Sequence, residues 1–466
     1  MLFNSLTFVW FFPLVVAGYF LLPSRFRNVF LLAASCYFYM YFNPVYILIL
    51  VYTILVDFIA GIKIEQNNGN PKLRRRWLYA SLLANLGALV FFKYAGFLLE
   101  NIFTVFSFVD IHQGFSFWHI VLPIGLSFHT FQAISYTLEV YHGNQKAENN
   151  ILVYALYVMF FPQLVAGPIE RPQRLLHQFK REHYLTYGNF AIGMQWMIWG
   201  LFKKIVVADN LATLVDRIYE HPQNHQGWPL ILATILFAFQ IYGDFSGYSD
   251  IARGAARIMG FDLSINFNLP YFSSNVSEFW RRWHISLSSW FRTYVYIPMG
   301  GNYRKAFRNT FITFALSGLW HGANFTYLVW GILNGIFVFL DKLLSKTKIQ
   351  TPAILRVFLT FALIDFCWIF FRAASIADAR YVITHLFSDM RFSSMMTYGA
   401  ERHVWLISIF MLCFMVIVEW ITKADSVIGW WQKTQRWQRL LFLNMLLFFM
   451  LFFGVFEHRT FIYFQF

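Results

Sequence analysis

Long stretches without a charged side chain most restrict what this chain can fold into. A transmembrane helix needs about 20 mostly apolar residues, because the hydrocarbon core of a bilayer is about 30 Å thick. The uncharged stretches are residues 1–24, 28–56, 77–92, 113–138, 149–169, 183–202, 221–243, 309–340 and 440–456. Several can supply one crossing and some can supply two. The sequence therefore predicts an all-α, polytopic membrane bundle with roughly ten to twelve crossings.

The composition agrees with a lipid environment. Only 13% of the residues are charged, whereas soluble domains carry about 25%. Much of the net charge of +14 lies in short basic connections such as residues 72–76 and 171–181, which are typical of cytoplasmic loops. We therefore expect the lipid bilayer, and no nucleic acid, as a partner. Because neither a soluble domain nor a long linker is evident, residues 1–466 are predicted to form a single integral membrane domain.

The strongest candidate for chemistry is His321, which lies in the uncharged stretch 309–340. It follows Asn309 by twelve residues, which is about 18 Å along a helix and would place it at mid-bilayer depth. An ionisable group at that depth is costly, and it usually faces a cavity and serves a function. The small residues Gly318 and Gly322 would let a substrate approach closely. The alternative is a neutral histidine that forms hydrogen bonds between helices.

The second candidate is His284, in a segment of interleaved arginines and tryptophans, residues 278–292. Read as one helix, the segment places His284 on an aromatic face that points toward the protein, while Arg281 and Arg292 project together on another side. Such a pattern is typical of a helix at the membrane interface. An interfacial anchor explains the arginines and tryptophans but does not require a histidine. A functional and a structural role therefore both stay open for His284.

Two apolar segments are predicted to interrupt the helices. Residues 161–168 contain two prolines and a glycine, and residues 242–250 combine two glycines with two aspartates. Irregular backbone at membrane depth must be buried in protein or line a cavity, because lipid cannot satisfy its polar groups. We therefore predict re-entrant segments around a polar interior. Asp244 and Asp250 could orient a histidine or bind a polar substrate group, or they could only cap a helix end or pair with Arg253.

Several motifs resemble those of the membrane-bound O-acyltransferase (MBOAT) family, in particular its branch that acetylates cell-envelope polysaccharides such as alginate and peptidoglycan. They are LPIGLSFHTFQAISY (122–136), FPQLVAGPIERP (161–172), YGDFSGYSDIA (242–252), NFNLPYFSSNVSEFWRRWHISLSSWFR (266–292) and LWHGA (319–323). The core motifs cover about residues 118–340. One departure is Thr293, which stands where the family usually has an aspartate, so a role for that carboxylate is in doubt.

The resemblance implies a fold and a set of site residues. The fold is a ring of helices around a central tunnel that opens to both membrane faces. His321 corresponds to the catalytic histidine at the narrow point of that tunnel, and His284 corresponds to the second histidine of the motifs. We assign four neighbouring polar or aromatic side chains to the substrate tunnel: Trp320, Asn324, Tyr242 and Asp244.

The ending FIYFQF (461–466) resembles the C-terminal motif of a small peptide that works beside the D-alanyl-transferring relatives. In that peptide a tyrosine is proposed to carry the acyl group in transit. By this resemblance, Tyr463 receives an acetyl group and passes it to a periplasmic partner. The alternative is an aromatic anchor at the membrane interface.

The resemblance implies an O-acyltransferase of the bacterial inner membrane. Its donor would be cytosolic acetyl-CoA, its partner a periplasmic SGNH-type acetyltransferase, and its final acceptor peptidoglycan or an alginate-like exopolysaccharide. We expect no metal, since no metal-ligand pattern is evident and the three cysteines, Cys36, Cys367 and Cys413, are interpreted as small core residues. Two alternatives stay open: an acyltransferase for long-chain lipids or proteins, and a transporter without covalent chemistry. The transporter would predict two related halves, and the sequence shows none.

Overall fold

The computed structural model describes residues 1–105, 123–345, 351–391, 402–422, 426–456, 459 and 461–462. The regular elements in these ranges are α-helices with short 3-10 and π-helical segments. The α-helices are Leu6–Leu21, Ser24–Met40, Ile47–Gln66, Pro71–Val105, Leu126–His142, Ile151–Met159, Phe161–Leu164, Pro172–Leu175, Tyr187–Leu201, Asp209–Tyr219, Trp228–Ile258, Val276–Arg282, Ile285–Phe291, Ala306–His321, Phe325–Leu344, Ala353–Arg372, Ile376–His385, Arg402–Thr422, Ser426–Lys433 and Arg436–Phe453.

Eight helical segments within the described ranges are long and apolar enough to cross a membrane. They are Pro44–Gln66, Pro71–Leu99, Tyr187–Tyr219, Trp228–Ile258, Phe325–Leu344, Ala353–Arg372, Val404–Thr422 and Arg436–Phe453. The helix Leu6–Leu21 is also apolar but shorter. The prediction of an all-α, polytopic membrane protein is therefore confirmed. The figure of ten to twelve crossings stays a prediction.

The chain forms two compact units. The first contains Met1–Gly193 and Ala252–Ser264, and the second contains Met194–Ile251 and Ile265–Phe466. Both candidate histidines belong to the second unit. The expectation of a single domain over residues 1–466 stays a prediction.

A buried carboxylate joins three helices in the first unit. Asp57, on the helix Ile47–Gln66, is fully buried. Its oxygens accept hydrogen bonds from the hydroxyl of Ser81, from the Asn85 amide at 2.9 and 3.0 Å and from the Thr137 hydroxyl at 3.1 Å. A buried carboxylate without partners would be costly. These donors satisfy it and fix how the three helices pack.

The two predicted interruptions have different outcomes. In the first unit, the short helix Phe161–Leu164 ends in a turn, and its backbone is buried in protein as expected. The interruption predicted at residues 242–250 is wrong, because one helix runs from Trp228 to Ile258. A Cβ on Gly247 would lie 2.7 Å from the carbonyl oxygen of Gly200. The glycine therefore allows two helices to approach closely and does not break either of them.

The uncharged stretch 309–340 forms a tight helical hairpin in the second unit. His321 is the last residue of the helix Ala306–His321, and the next helix begins at Phe325. A Cβ on Gly318 would lie 2.2 Å from the carbonyl oxygen of Tyr327. Only glycine allows this approach, so the small residues beside His321 bring the two helices together.

Candidate active site

Aromatic rings surround His321. Its ring centroid lies 4.9 Å from Trp320, 5.0 Å from Trp330 and 5.2 Å from Phe371, and all three contacts are edge-on. The side chain is only 4% exposed. These rings come from three different parts of the second unit and leave little room for water. A histidine held this way is suited to proton transfer in a dry pocket.

A stripe of polar side chains leads along the helix Ala306–His321 toward this histidine. Thr310, Thr313 and Ser317 recur at the three- and four-residue spacing that places side chains on one helix face, and His321 continues the series one turn later. All three hydroxyl residues line a cavity of about 420 Å³. The cavity therefore reaches to within one helical turn of His321.

The same cavity carries a concentration of positive charge. Arg281, Arg292 and Lys342 line it together with Trp280 and several hydroxyl side chains, and its lining contains no carboxylate among the described residues. The Lys342 ammonium lies 3.4 Å from the hydroxyl of Thr310, where the polar stripe begins. Arg281 and Arg292, which the sequence predicts to project together, thus line one cavity. Such a cavity can attract an anionic group of a ligand.

His284 lies at a sharp turn. The helix predicted over residues 278–292 is wrong as a continuous element, because Val276–Arg282 and Ile285–Phe291 are separate helices. His284 joins them with φ at 42°, in the left-handed region that residues with a Cβ rarely adopt. Strained positions of this kind are often found at functional sites.

Asn266 holds this turn in place. Its carbonyl oxygen Oδ1 accepts from the Ser286 hydroxyl at 2.9 Å and from the Ser286 N–H at 3.2 Å, and it lies 3.1 Å from Nδ1 of His284. Because this oxygen only accepts, Nδ1 carries the proton and Nε2 keeps the lone pair. Burial lowers the pKa of His284 to about 3, since the charged ring would lose its hydration. The imidazole is therefore neutral near pH 7.

Trp320 lies between the two histidines. Its ring centroid is 6.1 Å from His284 and 4.9 Å from His321. The two histidines are thus neighbours of one buried indole, although 36 residues separate them in sequence. The structure brings together the two residues that the motifs single out.

The assigned tunnel residues Asn324 and Tyr242 contact other parts of the second unit. Asn324 caps the helix Phe325–Leu344, where its Oδ1 accepts from the Thr326 N–H at 3.0 Å. The Tyr242 hydroxyl donates to both carboxylate oxygens of Glu419 at 2.9 and 3.0 Å, and both residues line a second cavity of about 490 Å³. Their assignment to the substrate tunnel stays a prediction.

Asp244 and Asp250 belong to a buried group of charges in the second unit. Lys204 lies 2.6 Å from Asp244 and 2.9 Å from Asp209, and Lys203 lies 2.6 Å from Asp250. Both lysines lie in the π-helical segment Phe202–Ala208. We call these five residues the lysine–aspartate cluster. Asp244 and Asp250 both lie inside the helix Trp228–Ile258, so the alternative that they cap a helix end is wrong.

Several features of the site stay outside what the structure tests. Tyr463 lies outside the described residues. Among the described residues, no group of three or more His, Cys, Asp or Glu is placed to hold a metal ion. The catalytic roles of His321 and His284 stay predictions.

Sequence reasoning missed Asn266 and the two lysines. Asn266 lies 18 residues before His284, and nothing local indicates that it contacts the histidine. Lys203 and Lys204 directly follow an uncharged stretch and were not singled out. The sequence does contain an indication of their role: two lysines at the end of an apolar stretch need carboxylate partners if they are buried.

The long apolar helices define a polytopic membrane protein, and the comparisons with known proteins place it among the acyltransferases. Residues 145–371 match the profile of the membrane-bound O-acyltransferase family, MBOAT. The chain is 38% identical over 397 residues to the protein named "Probable alginate O-acetylase AlgI" of Pseudomonas aeruginosa, covering 83% of this chain and 75% of that protein. It therefore belongs to the membrane-bound O-acyltransferase family.

Two further relatives differ in the polymer that their names mention. The peptidoglycan O-acetyltransferase of Helicobacter pylori is 36% identical over 422 residues, covering 82% of this chain and 79% of the relative. The teichoic acid D-alanyltransferase of Bacillus subtilis is 27% identical over 265 residues, covering 52% and 67%. The chain is thus an O-acyltransferase whose relatives include proteins named for two different acetylated polymers.

Replacing Asn266 by alanine tests the turn that holds His284. We expect Asn266→Ala to lower acyl-transfer activity at least about tenfold, because the ring loses the partner that fixes its tautomer and orientation, and tenfold corresponds to about 1.4 kcal/mol. The control is Asn268→Ala, which alters an exposed amide two residues away. Activity and thermal unfolding of both variants in detergent would be compared. Unchanged activity in Asn266→Ala would contradict the role given to this amide.

Proposed function

We propose that this chain moves acetyl groups from cytosolic acetyl-CoA across the bacterial inner membrane for O-acetylation of a cell-envelope polysaccharide. The family and the names of the relatives support acyl transfer to a polysaccharide hydroxyl. The proposed acceptor side includes a periplasmic SGNH-type acetyltransferase that places the acetyl group on peptidoglycan or an alginate-like polymer.

One observation carries the donor side of this proposal. A basic cavity continues into a stripe of hydroxyl side chains that ends at His321. Coenzyme A carries phosphates at one end and the acyl thioester at the other. Arg281, Arg292 and Lys342 fit the phosphates by charge. The stripe Thr310–Thr313–Ser317 then points the thioester toward His321.

The proposed reaction needs one base and one acid. The neutral imidazole of His321 accepts the proton of the acceptor hydroxyl, and the hydroxyl oxygen attacks the thioester carbonyl carbon. The new carbon–oxygen bond forms as the carbon–sulfur bond breaks. The proton then passes from the imidazolium to the departing thiolate, which leaves as the free thiol of coenzyme A. His284 is proposed as a second functional histidine, which adjoins His321 through Trp320.

Tyr463 is the proposed first acceptor. Its phenol would lose a proton to the imidazole and receive the acetyl group as an ester. The hydroxyl oxygen of the periplasmic partner would then attack the ester carbonyl carbon, the bond from that carbon to the tyrosine oxygen would break, and the hydroxyl proton would return to the tyrosine oxygen. The support is the resemblance of the ending to a motif in which a tyrosine is proposed to carry the acyl group. A tyrosine ester is more activated than an alkyl ester, so onward transfer to an alcohol is favourable.

Replacement of His321 tests the base directly. In purified protein given radiolabelled acetyl-CoA, we expect His321→Ala to reduce acetyl transfer by at least about 100-fold, the range for removal of a general base. The matched control is His177→Ala, which removes an exposed histidine in the other unit. A His321→Ala protein that is folded and transfers acetyl groups at the wild-type rate would exclude His321 as the base.

The basic cavity has its own test. We expect Arg281→Gln combined with Arg292→Gln to raise the KM for acetyl-CoA about tenfold or more, because two charge-assisted phosphate contacts are lost, while kcat changes little. S-acetylpantetheine lacks the phosphates, so its kinetics should be the same in the variant and the wild type. Arg75→Gln, an exposed change in the first unit, is the control. An equal loss with both donors would contradict phosphate binding at these arginines.

A further inference from the structure

The chain that follows the last long helix is attached to the second unit by a series of contacts. We call the described residues beyond that helix, 454–456, 459 and 461–462, the tail segment. At its start, the Val455 N–H donates to the carbonyl oxygen of Ile205 at 2.9 Å. The Asn210 amide donates to the carbonyl oxygen of Phe453 at 2.9 Å. Ile205 lies in the π-helical segment Phe202–Ala208, and such segments leave carbonyl groups available and are frequent at functional sites.

The attachment continues along the next helix, Asp209–Tyr219. The guanidinium of Arg459 donates to the Thr213 hydroxyl at 3.0 Å and lies 3.6 Å from the carboxylate of Asp216. Asp216 also pairs with Arg372 at 2.7 Å. The tail segment therefore contacts first the π-helical segment Phe202–Ala208, through Val455, and then the helix Asp209–Tyr219, through Arg459.

The end of the tail segment is buried. Phe461 is 1% exposed and Ile462 is 3% exposed. The Phe461 ring packs against Tyr248 at 4.9 Å and Phe245 at 5.5 Å between centroids. The Ile462 N–H donates to the carboxylate of Asp244 at 2.7 Å. A backbone N–H bonded to a buried carboxylate is a charge-assisted contact, which is stronger than one between neutral groups.

The lysine–aspartate cluster keeps that carboxylate in position. Lys204 binds one oxygen of Asp244 at 2.6 Å, and the Ile462 N–H binds the other. Lys204 also binds Asp209 at 2.9 Å. One ammonium therefore faces two carboxylates, and the tail N–H offers further compensation for the excess negative charge. Buried charges are costly unless they are fully partnered, so the cluster and the tail segment stabilise each other.

The attached end lies beside the candidate active site. The ring of Phe245 that contacts Phe461 also contacts the His284 ring, at 4.6 Å and nearly perpendicular. One aromatic ring thus separates the tail segment from the second histidine. Tyr463 directly follows Ile462 in sequence.

We propose that Asp244, fixed by Lys204, is a positioning residue for acetyl transfer, because it holds the chain at Ile462, the residue that directly precedes Tyr463 in sequence. This inference rests on the proposed function, in which Tyr463 accepts the acetyl group. In this proposal, the buried Asp244 of the YGDFSGYSD motif holds the tail segment of the same chain. Asp244 acts through the Ile462 N–H and does not touch the reacting atoms.

Hydrogen–deuterium exchange measures this attachment without reference to activity. In purified full-length protein, peptides that contain the Ile462 amide should exchange at least tenfold faster in Asp244→Ala than in the wild type. The control is Asp262→Ala, which removes a half-exposed carboxylate in the first unit. Phe461→Ala loosens the same end without changing the cluster, so it should also exchange faster and provides the test if Asp244→Ala does not fold.

Kinetics test whether the attachment serves transfer. We expect Asp244→Ala to lower kcat at least tenfold with an unchanged KM for acetyl-CoA, and Asp244→Glu to recover part of the loss. Mass spectrometry should find acetyl on Tyr463 in the wild type and in Asp262→Ala, and at least tenfold less in Asp244→Ala.

The outcomes separate this inference from the proposed function. An Ile462 amide that exchanges equally fast in the wild type and in both loosened variants would overturn the attachment. Faster exchange with wild-type kcat would overturn the positioning role. A wild-type protein that never carries acetyl on Tyr463, although His321 is required for transfer, would overturn the relay through this tyrosine and leave the attachment standing.

Discussion

Polar groups inside a lipid-embedded bundle must find their partners within the protein, because the hydrocarbon core supplies no water. This constraint explains the main buried contacts of the second unit. Asn266 satisfies the turn at His284, and the lysine–aspartate cluster neutralises charges that would otherwise be too costly to bury. Each of these arrangements also fixes a residue beside the candidate active site. The same contacts therefore satisfy buried polar groups and hold side chains in place beside the candidate active site.

Close packing of two helices produces the aromatic surrounding of His321. Gly318 lets the helices Ala306–His321 and Phe325–Leu344 approach until backbone lies against backbone. That approach brings Trp330 to His321, and Phe371 and Trp320 complete an aromatic surrounding. A base in such surroundings is shielded from water that would compete with the acceptor hydroxyl. The polar stripe on the preceding turns of the same helix lines the cavity from which a donor is proposed to approach His321.

The sequence allowed the all-α membrane fold and the family to be predicted, since these depend on local composition and ordered motifs. Three features could not be predicted, because contacts distant in sequence decide them. The turn at His284 depends on Asn266, and the helix through Asp244 stays continuous because Gly247 packs against Gly200. The burial of Lys203 depends on Asp250, 47 residues away, and that of Lys204 depends partly on Asp244, 40 residues away. In each case, contacts between distant residues decide whether the helix is interrupted or the side chain is buried, and the local sequence pattern does not.

A donor bound in the basic cavity is proposed to present its acyl group to His321. An electron cryo-microscopy structure with a bound, non-transferable ketone analogue of acetyl-CoA tests it most directly. We expect phosphates beside Arg281 and Arg292 and the carbonyl carbon within about 4 Å of the His321 imidazole, a distance that leaves room for the acceptor hydroxyl between them. An analogue bound in the cavity lined by Tyr242 and Glu419, or with its carbonyl group away from His321, would contradict it.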